Sequence, residues 1–364
     1  MSLTEDDGTR LAGTSSASTS LTLSSAGDIT DTTNASLTVT GNAALTANAG
    51  ASDITLGDAG TDGLALGSVT VAANNVALTE DDTTTFAGTN TVGSALTVTS
   101  GGAITDSATT SFAVTGLATF NANTGASAIT LGDNANDTTN FGSLDLTGST
   151  VTVSEDSAST LAGLSVDSLD LSSTGAIDDA AGTTLTATGN VSLSAGTTIT
   201  IGDDDTVNFG SVTLNGTTVS LTEDDGTRLA GTSSASTSLT LSSGGNITDT
   251  TNASLTVTGN AALTANAGAS DITLGEATTD GLALDSVTVA ANNVALTEDD
   301  ATTFAGTNTV GGALTVTSGG SITDCGDDQL RGDGSRHVQR QYRQRARSPW
   351  ATTRMTPRTS ARWT

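Results

Sequence analysis

The sequence predicts an all-β fold, specifically a parallel β-solenoid, from three observations. A motif returns at long, near-regular intervals, short apolar triplets alternate with polar residues inside each interval, and Gly, Asn and Asp punctuate the gaps. The recurring motif is the acidic opening Leu3-Thr4-Glu5-Asp6-Asp7. It returns at Leu78 to Asp82, at Val153-Ser154-Glu155-Asp156, at Leu221 to Asp225 and at Leu296 to Asp300, in steps of 75, 75, 68 and 75 residues. A period far longer than one strand marks a repeat array. Residues 1–324 are therefore read as one array with units starting near 3, 78, 153, 221 and 296.

Within the first unit the triplets are Leu21-Thr22-Leu23, Leu37-Thr38-Val39, Ile54-Thr55-Leu56 and Val69-Thr70-Val71. Successive strand residues point to opposite sides, so each triplet puts two apolar side chains on one face and a hydroxyl on the other. The second unit repeats them at Leu96, Phe112, Ile129 and Leu144. Corners such as Gly41-Asn42, Gly57-Asp58 and Asn74-Asn75 suit tight turns.

A β-sandwich would need bulky strands packed as two sheets. The aromatic residues of 1–324 are six phenylalanines only, Phe86, Phe112, Phe120, Phe141, Phe209 and Phe304, so a narrow solenoid interior suits the composition better. Triplets spaced 15 to 17 residues apart predict one coil per triplet, four or five coils per unit, and a rod of roughly 80 to 100 Å at about 4.8 Å per coil. No capping segment is visible at either end, so exposed strand edges predict end-to-end association.

Residues 1–324 carry 36 acidic residues against Arg10 and Arg228. A polyanion lacks the clustered Lys and Arg that phosphate binding requires, which excludes nucleic acid as a partner. The same stretch has no Cys, His or Lys, so it offers neither a disulfide framework nor an obvious base. No signal peptide or membrane span is recognisable from Met1 onward. An enzyme is not expected, because no acid/base pair in distinct environments stands out.

From Cys325 the composition inverts into an Arg-rich run to Thr364. Residues 327–342 admit codons that, read one base later, spell Thr109 to Thr124, the stretch due next in the array. Residues 346–361 likewise admit a shifted frame spelling Ala128 to Gly142. Residues 325–364 are thus read as a basic, disordered tail that is frameshifted repeat sequence, and His337 and Cys325 are not taken as sites.

The acidic openings are the candidate ligand groups. Ca²⁺ wants six to eight oxygens, and Glu5, Asp6, Asp7, Glu80, Asp81, Asp82, Glu223, Asp224, Asp225, Glu298, Asp299, Asp300 and the run Asp203, Asp204, Asp205 supply carboxylates. They lack EF-hand and nonapeptide calcium spacing, so solvated acidic turns are the competing reading. Outward threonines such as Thr22, Thr97 and Thr130 are read as ordinary exposed strand positions.

The pattern Leu37-Thr38-Val39-Thr40-Gly41, Ile54-Thr55-Leu56-Gly57-Asp58 and Phe141-Gly142-Ser143-Leu144-Asp145-Leu146 resembles the repeats of large bacterial exoproteins of the filamentous-haemagglutinin-like adhesin class. The resemblance implies a right-handed parallel β-helix stalk, secreted and exposed on a cell surface, acting in attachment to host or biofilm surfaces. The expected function is a non-catalytic structural or adhesive stalk, its partners the neighbouring repeats of a longer parent chain. The alternative is a Ca²⁺-responsive matrix or surface-layer module, with no cofactor beyond that ion.

Overall fold

The computed structural model describes residues 1–48, 51–123, 126–266 and 269–325, and the backbone of Arg331–Gly332 and Gln341–Tyr342. The rest of the tail read as disordered and frameshifted lies outside the described residues. Among the described residues there are 34 strands and no α-helix. All the strands belong to one sheet, which winds as a parallel β-solenoid of about 14 turns.

The predicted alternation holds at the level of side chains. Leu21, Leu23, Ile54, Leu56, Val69 and Val71 are all buried, whereas Thr22, Thr55 and Thr70 between them face outward or are half-buried. Each inward side chain stacks on its counterpart one coil away: Leu3 pairs with Leu23, Leu23 with Leu45, and Leu45 with Val71. Stacking of like on like gives one apolar column per face, and nearest-neighbour contacts of this kind hold a solenoid together. The phenylalanines fill the space between columns, since Phe86, Phe112, Phe120 and Phe141 are in register with Val69, Asn90, Val98 and Val114 of separate columns. Phe86 meets Phe112 edge-on at a centroid distance of 5.1 Å, and Phe120 meets Phe141 at 5.5 Å.

The coils are longer than the triplet spacing predicted. Stacked partners in the column Leu3, Leu23, Leu45 and Val71 lie 20, 22 and 26 residues apart. Consecutive triplets occupy different faces of the solenoid, so the 15-to-17-residue interval measures the path from face to face and not a full coil. About 14 turns at 4.8 Å give a rod of roughly 65 to 70 Å, shorter than the sequence estimate.

The same registers give the geometry of the repeat. Leu21–Ser25 stacks with residues 43–47 and 69–73 on one face. Its copy Leu96–Ser100 stacks with Val76–Glu80 and residues 118–122 on the next face. The third copy, residues 169–173, stacks with 151–155 and 191–195 on the third. Residues 239–243 then return to the first column through Leu239, Val219, Ile199 and Ile177. One unit therefore spans three and a third coils rather than four or five, and each copy is turned by a third of a revolution from the last.

Candidate functional site

The acidic openings are split by the alternation of the strand that carries them. Glu80, Glu223 and Glu298, with Glu155 of the third unit, point into the interior and are each 2% exposed. Asp81, Asp82, Asp224, Asp225, Asp299 and Asp300 face solvent. Glu5, in the first coil, is half-buried, and Asp6 and Asp7 are exposed. Each Glu is thus separated from its neighbouring aspartates by the wall of the rod.

Each buried glutamate has a defined partner. Glu80 Oε1 accepts the backbone N–H of Leu66 at 2.8 Å, Glu155 that of Phe141 at 2.8 Å, Glu223 that of Phe209 at 2.9 Å and Glu298 that of Leu284 at 2.9 Å. The bonded pairs are always 14 residues apart and join two successive coils. In the third and fourth units the adjacent aspartate adds a second clasp, Asp156 Oδ2 accepting the N–H of Thr139 and Asp224 Oδ2 that of Val207, both at 2.9 Å. The other oxygen, Oε2, is buried without a hydrogen-bond partner in all four glutamates. The hydroxyls of Thr84, Ser159, Thr227 and Thr302 stand beside the four carboxyls without completing a hydrogen bond of normal geometry. Burial pushes each carboxyl up to about 7 from an ordinary 4.5, opposed by the neighbouring hydroxyl and backbone N–H.

A different set of carboxylates comes together on the outside. Asp31, Asp58 and Asp62 bring carboxylate oxygens within 4.8 Å of one another, as do Asp106, Asp133 and Asp137, and Asp179, Asp203 and Asp205. Only Asp203 and Asp205 of these nine were singled out from sequence, and Asp204 beside them is exposed outside the cluster. The remaining seven are drawn from positions 24 or more residues apart, or from a Gly-Asp corner whose composition is unremarked in a chain this acidic.

The inner aspartate of each triad caps a corner. Asp31 Oδ2 accepts the Gly57 N–H at 2.8 Å, Asp106 that of Gly132 at 2.9 Å, and Asp179 that of Gly202 at 2.8 Å. Those glycines sit at φ of 74°, 70° and 82°, a left-handed backbone that side chains disfavour. A Cβ on Gly57 would lie 2.2 Å from the Thr79 carbonyl oxygen of the next coil. Burial, with the two neighbouring carboxylates adding to it, pushes Asp106 and Asp179 up to about 6, while the glycine N–H opposes the rise. Chemically, a triad offers a hard cation three oxygen ligands, short of a full shell. It equally serves as a hydrogen-bonded corner with part of its charge neutralised by a proton.

Fold and repeat together define a β-solenoid repeat protein. A family model described as repeats of unknown function (DUF5649) matches residues 1–72, 73–145, 216–288 and 291–335, well over half of the chain, and the chain belongs to that family. The gap in the match, 146–215, contains most of the 68-residue unit. No curated protein and no solved structure matches the chain. Among the described residues no helix is long and apolar enough to cross a membrane.

Proposed function

We propose that the chain is a non-catalytic structural segment, a stiff stalk or spacer of an extracellular or cell-surface protein, of the kind that displays an adhesive function away from the cell. The observation that carries this reading is the unbroken parallel pairing from Ser2 through to Asp324, in which every coil is fastened to the next. Such a ladder makes length and stiffness the properties the sequence maintains. Its anionic outer surface keeps rods soluble and apart. Small-angle scattering and negative-stain microscopy test the first part, with a rigid rod of roughly 65 to 70 Å for residues 1–324 as the expected result. Binding of the purified chain to cell and abiotic surfaces tests adhesion, and a flexible or globular particle that binds nothing overturns the reading.

A second reading is a Ca²⁺-responsive extracellular module. The aspartate triads favour it, because three equivalent corners converge their oxygens within 4.8 Å. Calorimetric titration with Ca²⁺ and melting in chelator test it. Unchanged melting between chelator and millimolar Ca²⁺ excludes it.

A further inference from the structure

The four interior glutamates are a feature the stalk reading does not use. Each is a carboxyl 2% exposed, fastened by one oxygen to the coil before it and left with a second, unpartnered oxygen inside the rod. We propose that Glu80, Glu155, Glu223 and Glu298 are a pH-responsive fastening built into the solenoid, holding successive coils together as neutral carboxylic acids and loosening them as carboxylates.

The surroundings of each group support this. Around Glu80 are Leu66 in the preceding coil, Ser100 paired with it in the following coil, and Thr84. The charged groups nearest to it are Asp82 and Asp81 of its own turn, both anionic and on the outer side of the wall. Glu155 has Phe141, Ser173 and Ser159 around it and Asp156 as its charged neighbour. Glu223 has Phe209, Ser243 and Thr227, with Asp225. Glu298 has Leu284, Ser318 and Thr302, with Asp299 and Asp300. None of these groups is a cation, and the two bases of residues 1–324, Arg10 and Arg228, are exposed. A buried charge without a partner is strongly disfavoured, so the group holds its proton instead.

A neutral acid also answers the geometry. Protonated Oε2 becomes a donor, and the adjacent Thr or Ser hydroxyl is the acceptor standing beside it, while Oε1 keeps the backbone N–H. Ionisation removes that donor and places a second negative charge next to the exposed aspartates. Because the carboxyls recur every three and a third coils on successive faces, loosening is distributed around the rod rather than opening one seam.

The sign follows from linkage. The folded-state value of each glutamate lies above its ordinary 4.5, so its stabilisation is complete below 4.5 and is lost as pH rises through about 7. A rise from 4.5 to about 7 corresponds to a shift of the folding equilibrium of up to roughly 300-fold for each glutamate.

The test is the full chain against a variant carrying E80Q, E155Q, E223Q and E298Q, which keeps shape and the N–H acceptor but cannot ionise. Thermal midpoints at pH 5 to 9, in low and high salt, are expected to fall with pH in both chains through the raised carboxyls of Asp106 and Asp179, and at high salt to fall further in the native chain than in the variant, the excess centred near pH 7. Infrared spectra near pH 6 are expected to show a protonated-acid carbonyl band in the native chain that the variant reduces. Parallel pH slopes in native and variant chains at high salt, or an identical carbonyl band, overturn the proposal. If the fourfold variant does not fold, E155Q alone is read by amide exchange at Phe141. Protection that falls with pH in the native chain beyond the intrinsic rate, and not in E155Q, supports the proposal, and equal falls overturn it.

Discussion

Glu155 and Phe141 are 14 residues apart in the chain and meet across the step between two coils, the carboxyl Oε1 accepting the Phe141 N–H at 2.8 Å inside the core. The bond closes a short coil at a point where the strand Thr138–Glu155 runs across all three faces without a break. Glu155→Ala leaves that buried N–H without an acceptor, which costs about 1 to 3 kcal/mol. Glu155→Gln keeps the acceptor and is expected to cost much less near pH 5. Urea denaturation of both variants checks the difference, with loss of amide protection centred on Phe141 in the alanine variant.

Thr109 sits at φ of 69°, a left-handed conformation it shares with the equivalent Asn34 at 66° and Asn252 at 67°. A β-branched residue there is strained, whereas Asn tolerates the region. Thr109 is exposed. Thr109→Asn is therefore expected to stabilise the chain by up to about 1 kcal/mol, because Asn pays only part of the left-handed penalty that β-branched Thr pays in the same conformation. A raised urea midpoint with unchanged slope checks it.

The period, the inward triplets and the Gly-rich corners were legible in sequence because each is a local pattern with a local cause. Coil length was not. Leu37 and Ile54 look like successive rungs, but Leu37 stacks on Leu64 and Ile54 on Ile29 and Val76, so only cross-coil pairing reveals which triplets share a face. The inward placement of the glutamates is hidden for a related reason, although Glu80, Glu223 and Glu298 stand among the sequence candidates. Glu80 beside Asp81 and Asp82 reads as one acidic turn, yet strand alternation assigns it to the inside, where it follows Val76 and Leu78 at a spacing of two. That parity was the available signal. The aspartate triads had one too, since Ile29-Thr30-Asp31, Ile104-Thr105-Asp106 and Ile177-Asp178-Asp179 recur in phase, but their partners stand 24 or more residues downstream and converge only when coiled.

Gly132 is required by two constraints at once. Its φ is 70°, and an added Cβ would lie 2.3 Å from the Ser154 carbonyl oxygen and 2.6 Å from the Thr139 hydroxyl. Gly132→Ala must shift backbone against backbone and disturbs the N–H that Asp106 accepts. The conformation alone costs about 1 to 2 kcal/mol, and the clash adds to it. Gly182, with φ of 79° and nothing within 4 Å of its Cβ position, isolates the first term. A larger fall in the unfolding midpoint for Gly132→Ala than for Gly182→Ala is the expected result.

Asp106 tests the triads. Burial pushes its carboxyl up to about 6 from 3.8, and Asp137 and Asp133 reinforce the shift by repulsion. A raised folded-state value means that its stabilisation is complete below 3.8 and lost as pH rises through about 6. Asp106→Asn removes the ionisation while its side-chain oxygen can still accept the Gly132 N–H. The variant is expected to match the native chain below pH 4 and to exceed it above pH 7 in metal-free buffer, because the native carboxylate is then charged, half-buried and beside two like charges. Ca²⁺ inverts the ranking if the triad holds it, since a cation shared by Asp106, Asp133 and Asp137 rewards the full set of carboxylates. Melting of both chains across pH 4 to 8, with chelator and then with millimolar Ca²⁺, separates a proton-sharing corner from a calcium site by whether the order of the two midpoints reverses.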